Sequence, residues 1–292
     1  MQRKITRILG ALGTAACIII FFRAPSWPTP DKLLIFITFV FMAYGQGWAV
    51  FKRLAPFVGL LLVYESFRGL VPHLNSNVHY YELINADRFF FFGRLPTKIL
   101  QNWLWHDHVQ WYDFMFYLFY MLHFILPFSL AILIWKKREV FYWRYVATFI
   151  STSFAGFLTF LAFPAAPPWM ASEKGMIEPI SRISSDVWFA IGIHDFPSVY
   201  NKISPNPVAA MPSLHAAYAT LFFIFIYKLY GKKWATVAAI YPFMIYLGTI
   251  YQGEHYFIDE LIGALYAVIA YFIIGKLWST VRVSHSRGPH NS

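Results

Sequence analysis

Apolar residues run along this chain in long blocks, not in the short alternations of a soluble fold. Blocks of roughly twenty mostly apolar residues are long enough to cross the hydrocarbon core of a bilayer as helices. The pattern predicts spans over 8–22, 33–51, 54–74, 114–135, 145–163, 212–230, 234–253 and 257–277. The first follows Arg3, Lys4 and Arg7, but no small-residue cleavage site comes after it, so it reads as a retained anchor helix. Between the third and fourth blocks, residues 81–111 are aromatic yet carry Glu82, Asp87, Arg88, Arg94, Lys98 and Asp107. That mixture belongs on the membrane interface. The stretch 164–211 is the longest without a span, and its prolines at 164, 167, 168, 179, 197, 205 and 207 mark an ordered loop or cap.

Composition agrees with this reading. Of 292 residues, 58% are apolar and 13% charged, about half the usual charged share of a soluble domain. The net charge of +10 does not indicate nucleic acid, because the basic residues sit in small groups between apolar blocks. Placing the N-terminus in the cytoplasm puts 15 Lys and Arg on the inner side and 8 on the outer, with Arg68 inside a span. This is the asymmetry expected for both termini cytoplasmic. The single cysteine, Cys17, excludes an intrachain disulfide and a cysteine metal site. The expected organisation is anchor helices over 1–56, a membrane domain over 57–280 and a cytoplasmic tail over 281–292. Nothing in the sequence sets an oligomeric state.

Two short stretches carry candidate chemistry. Met211-Pro-Ser-Leu-His215 opens the sixth span and Glu254-His-Tyr-Phe-Ile-Asp259 the eighth, both at outer helix ends in this topology. His255 and Asp259, four apart, share a helix face. A carboxylate there can accept the Nδ1 proton of the imidazole, leaving Nε2 free to act. Interfacial histidines are often inert, but two of them, one backed by an i+4 Asp, point to a reactive pair.

Pro212-Ser213-Leu214-His215 followed by His255-x-x-x-Asp259 resembles the type-2 phosphatidic acid phosphatase (lipid phosphate phosphatase) superfamily. Within it, Phe163-Pro-Ala-Ala-Pro-Pro-Trp169, Asn206-Pro-Val-Ala-Ala-Met-Pro-Ser213 and His255-Tyr-Phe-Ile-Asp259 look like the inositol phosphorylceramide synthase branch and its bacterial relatives. The resemblance covers roughly residues 60–275. It implies an all-α polytopic membrane bundle of about six to eight transmembrane helices around a phosphatase-type core. It also implies that His215 protonates the leaving group, that His255 attacks phosphorus and that Asp259 orients it. Ser213 and nearby backbone N–H groups would hold phosphate oxygens, with no metal or organic cofactor.

Hydrolytic relatives usually carry Lys and Arg in a first motif and a Ser-Arg pair before the third-motif His. Here Thr249 stands six before His255, and residues 164–169 contain no Lys or Arg. A phosphodiester has one negative charge and needs fewer cations than a monoester. The departure therefore favours moving a phospho head group from a phospholipid to a lipid hydroxyl over hydrolysis with water as acceptor. Hydrolysis of phosphatidate or a prenyl pyrophosphate is the alternative, and a non-enzymatic membrane transporter a more distant one. Two readings stand for Arg68: an ion pair with Glu65, or the phosphate cation missing at 249. Asp113 and His123 have the same choice between structural hydrogen bonding and head-group binding. Trp103, Trp105, Trp111 and Trp169 read as interface anchors, and His73, His79, His106 and His108 as interfacial.

Overall fold

The computed structural model describes residues 2–23, 30–191 and 206–286, which form a polytopic all-α bundle. Helices α1 (Gln2–Arg23) and α2 (Pro30–Ala43) precede α3 (Gly47–Leu74). Two short helices, α4 (Tyr81–Phe90) and α5 (Pro96–Leu104), lead to α6 (Trp111–Arg138) and α7 (Tyr142–Ala162). After α8 (Pro168–Glu173) and α9 (Ile183–Ala190) come α10 (Leu214–Tyr230), α11 (Lys232–Ala238), α12 (Ile240–Tyr251) and α13 (Phe257–Ser286). Among the described residues, five stretches are long and apolar enough to cross a bilayer: Arg3–Arg23, Gly47–Leu74, Trp111–Ala162 (which holds α6 and α7), Lys232–Tyr251 and Phe257–Thr280. The protein is a multi-pass membrane protein.

One expected span is divided differently. The block 33–51 breaks at Tyr44–Gln46, where Gly45 takes φ +75°. At Gly47 a Cβ would lie 2.7 Å from the Met42 side chain, so the close turn needs glycine there. Residues 47–51 belong to α3, and α2 is left with 14 residues, about 21 Å of helix at 1.5 Å per residue. The expected domain boundary at 56/57 therefore falls inside a continuous helix, and the chain turns earlier, at 44–46. Part of the expected tail, 281–286, extends α13, and 287–292 lie outside the described residues.

Helix α10 is the centre of the bundle, packing on α6, α7, α12 and α13. The core joins Phe57 and Leu61 of α3, Phe128 and Ala131 of α6, Tyr145 and Phe149 of α7, and Leu221 and Phe225 of α10. Leu118, Leu158, Phe243 and Phe272 point outward and are well exposed, as suits helix faces turned to lipid. Several hydroxyls on buried helix faces are hydrogen-bonded, as a membrane interior favours. Thr152 donates to the Thr148 carbonyl at 2.8 Å, and Ser153 meets the Tyr218 hydroxyl at 2.6 Å.

One end of the bundle is basic. There Arg53 pairs with Glu139, Lys136 meets Gln46, and the Arg144 guanidinium sits 4.8 Å from the Tyr271 ring centroid. The opposite end is capped by α4, α5, α8, α9 and three extended stretches. His79 N–H donates to the Pro164 carbonyl, Ala165 N–H to Val208 and Ala210 N–H to Ala165. Fully buried Ala165 and Ala166 fit this close pairing. It brings the Pro-Trp stretch beside the residues that lead into α10, where the Met211–Pro212 peptide is cis.

Candidate active site

The cap end encloses a cavity of about 450 Å³, whose walls include Arg68, His123, Trp169, Arg182, His215, Glu254 and His255. Helix α10 delivers His215 two residues after the Ser213 cap, and the loop between α12 and α13 delivers His255. His215 Nδ1 lies 3.1 Å from His255 Nε2. Asp259 Oδ2 is 3.5 Å from His255 Nδ1 and accepts the Tyr256 N–H at 2.9 Å. A carboxylate beside Nδ1 keeps the proton on that nitrogen. The Nε2 lone pair of His255 therefore faces His215, whose Nδ1–H points at it.

Backbone contacts hold this pair. The Ser213 N–H donates to the Asp259 carbonyl at 2.9 Å, tying the start of α10 to the first turn of α13. The two helices meet at Gly263, where a Cβ would stand 2.1 Å from the Ser213 oxygen. Gly263→Val is accordingly expected to lower stability by about 1–3 kcal/mol or more, read as a lower midpoint in thermal unfolding in detergent. The His255 N–H donates to the Thr249 carbonyl at 3.2 Å. From the cap, buried Asp87 of α4 accepts the N–H groups of Phe257 and Ile258 at 2.9 and 3.0 Å, satisfying the exposed first turn of α13. Burial pushes the Asp87 carboxyl up to about 7, against the lowering effect of those two bonds.

Burial disfavours the charged imidazole of His255, but the carboxylates of Asp259, Glu260 and Glu254 outweigh it. They hold the ring's pKa above its ordinary 6.5. His215 packs against two rings, Tyr120 at 4.6 Å and His123 at 4.2 Å between centroids. Among the described residues, His215 Nε2, His123 Nδ1 and Asn206 Nδ2 are buried polar atoms without a hydrogen-bond partner. All three residues line the cavity. Unsatisfied polar groups around one cavity are what a polar ligand would complete.

The structure thus brings together His215, His255, Asp259, Arg68 and His123. Arg68 fits both of its readings, since Nε binds Glu65 Oε2 at 3.0 Å while the side chain lines the cavity. Asp113 does not belong to the cavity. It is fully buried, accepts the Gln110 N–H at 2.7 Å in a capping box on α6, and accepts the Tyr251 hydroxyl at 2.6 Å. That is its structural reading. Ser213 is also displaced from the expected place: its fully buried hydroxyl caps α10 by accepting the Ala216 N–H at 3.2 Å and is not among the cavity walls. Trp169 lies in the cavity wall under Arg182 instead of anchoring at the interface, whereas Trp103 and Trp111 are well exposed. Thr249 is buried and donates to Glu260 at 2.7 Å.

Sequence reasoning missed Arg182, Glu254 and Asp87. Glu254 abuts the third motif and was visible as its neighbour. Arg182 lies in a proline-rich stretch where only its charge marked it, and Asp87 stood among other interfacial charges.

Fold and site define a polytopic helical membrane protein with paired histidines in a cavity at one end of the bundle. A profile described as the PAP2 superfamily matches residues 81–273, more than half of the chain, and the chain belongs to that superfamily. It is 34% identical over 148 residues to a phosphoinositol dihydroceramide synthase of Bacteroides thetaiotaomicron, covering 48% of this chain and 47% of that protein. It is 30% identical over 145 residues to the catalytic subunit of inositol phosphorylceramide synthase of Schizosaccharomyces pombe, covering 44% and 32%. Identity to inositol phosphorylceramide synthase of Candida albicans is 27% over 166 residues, covering 52% and 33%. The matched segments thus span half or less of these relatives. No solved structure gives a significant match.

Proposed function

We propose that the protein is a lipid phosphotransferase that moves a phospho head group, phosphoinositol in the first instance, from a phospholipid to a lipid hydroxyl such as that of a ceramide. The contact that carries this reading is His215 Nδ1 to His255 Nε2 at 3.1 Å inside the cavity, with Asp259 behind His255. The names of the relatives support the head group and the acceptor.

In the first half-reaction His255 Nε2 attacks phosphorus, and the phosphorus–oxygen bond to the diacylglycerol breaks. His215, entering this step as the imidazolium, gives its Nδ1 proton to the departing oxygen and is left neutral. Diacylglycerol leaves, and the phospho head group stays on His255. In the second half an acceptor hydroxyl attacks phosphorus and its proton goes to His215. The nitrogen–phosphorus bond breaks and returns the lone pair to His255. Asp259 stabilises the positive ring while the bond exists. A phosphoryl group with its leaving oxygen does not fit within 3.1 Å, so the two rings part as substrate enters. Arg68 and His123, both in the cavity wall, would receive the head group.

In this reading the catalytic unit runs from α3 to α13, with α1 and α2 as an anchoring pair, and the cavity end faces away from the cytoplasm. An impermeant maleimide tests the orientation on intact cells carrying single cysteines in a Cys17→Ser background. Glu173→Cys at the cap end is expected to label and Lys232→Cys at the basic end to stay unlabelled; the reverse pattern would invert the topology. Both positions are exposed. For the chemistry, purified protein is given head-group-labelled phosphatidylinositol with ceramide or diacylglycerol, and labelled phosphatidate alone. Label appearing on the acceptor lipid is expected. Release of label as a water-soluble phosphate from either donor, with none on an acceptor, would replace transfer by hydrolysis.

A further inference from the structure

Arg182 comes just before α9 and reaches the cavity from the cap. Its Nε donates to Glu254 Oε1 at 2.9 Å and its Nη2 to Oε2 at 3.4 Å, a two-pronged pair. The Ser184 hydroxyl donates to the same carboxylate. The guanidinium carbon lies 4.3 Å from the centroid of the Trp169 ring, a cation–π contact. Glu254 immediately precedes His255, and the guanidinium lines the same cavity as both.

The segment that carries Arg182 is stitched to the His255 loop. Buried Gln101 donates to the carbonyls of Ser181 and Tyr251 at 2.8 and 2.9 Å and accepts the Ser181 N–H at 2.9 Å. Trp169 N–H donates to the Gly253 carbonyl at 3.1 Å. At Gly253, with φ +77°, a Cβ would stand 2.9 Å from the Ser181 oxygen, so the approach of the two segments requires glycine. A fork of N–H donors is thereby fixed in the wall of the cavity that holds His255, in advance of substrate, which is how a site lowers the cost of gripping an anion. Residues 164–169 and position 249 hold no Lys or Arg.

We propose that Arg182 is the phosphate-binding residue of this site and that Glu254 is its resting partner. The phosphate of the donor displaces the Glu254 carboxylate from the guanidinium. Trp169 keeps the guanidinium in place, and Ser184 keeps a hydrogen bond to the released carboxylate. This rests on the reading of the cavity as a phosphodiester site, and it moves the missing charge from the helices to the cap.

Equilibrium binding of radiolabelled dihexanoylphosphatidylinositol to the His255→Ala protein, which cannot turn over, tests it, with dihexanoylglycerol as the uncharged control. Arg182→Gln is expected to weaken phosphatidylinositol binding about tenfold or more and to leave dihexanoylglycerol unaffected. Glu254→Gln is expected to tighten phosphatidylinositol binding severalfold, because the competing carboxylate is gone. A purely structural ion pair predicts instead that both variants weaken binding alike, or that neither changes it, and either result overturns the proposal. So does a failure of the His255→Ala protein to bind the phosphatidylinositol probe. Should Arg182→Gln not fold, the sign of the Glu254→Gln effect decides. Transfer by the wild type is measured in parallel: Arg182-dependent binding without transfer retires the transferase reading and keeps the phosphate site.

Discussion

His255→Ala is expected to lower turnover by about 10⁴-fold or more, the scale seen when the member of a catalytic unit that bonds to the substrate is removed. The protein should still fold and insert, because the ring makes few structural bonds: its Nδ1 has no hydrogen bond shorter than the 3.5 Å approach of Asp259. The backbone N–H to Thr249, which holds the loop, survives the substitution. The measurement is the rate of label transfer in detergent micelles, with a thermal melt confirming the fold. Activity within tenfold of wild type would remove His255 from the chemistry. Combined with His215→Ala, it should cost hardly more than alone, because residues acting as a unit are not additive.

Asp259→Asn comes second in size, at about 10²–10⁴-fold. The amide keeps the shape and can still accept the Tyr256 N–H through its oxygen. It removes the charge that fixes the Nδ1 proton and stabilises the imidazolium. The pH profile carries the distinctive signature. His255 attacks only when Nε2 is unprotonated, and the neighbouring carboxylates hold its pKa above 6.5. The wild-type kcat/KM should therefore rise with pH along a limb lying above 6.5. Losing one of those carboxylates lowers the pKa, so the limb should move to lower pH in Asp259→Asn. A limb that stays in place, with normal folding, would mean that Asp259 does not act through His255.

The motifs themselves were legible because their chemistry needs particular residue types at fixed spacing. His215, at the start of a helix, and His255 line one cavity, with Asp259 behind His255. The apolar blocks gave most spans to within a few residues, since lipid allows little else. The error at 33–51 arose because the apolar character runs through 44–46 with little interruption, and only Gly45 and Gly47 record the turn. The site's polar wall was harder to read. Ser213 looked like an anion donor, but a residue at a helix start with a free hydroxyl is equally a cap, and the cap is what formed. Asp113 could be assigned only once Tyr251 and Gln110 were seen around it. Arg182 and Asp87 act from segments distant in sequence from the motifs, and their partners Glu254 and the Phe257 and Ile258 N–H groups come from chain pairing in the cap. No local pattern announces such pairing.

The central claim is a covalent phospho head group on His255, and mass spectrometry of the protein after brief reaction with phosphatidylinositol and no acceptor tests it most directly. The account predicts a peptide containing His255 that is heavier by one phosphoinositol group, absent from His255→Ala and discharged when ceramide is added. Transfer that proceeds at full rate with no adduct on His255, or with the adduct on another residue, would contradict it.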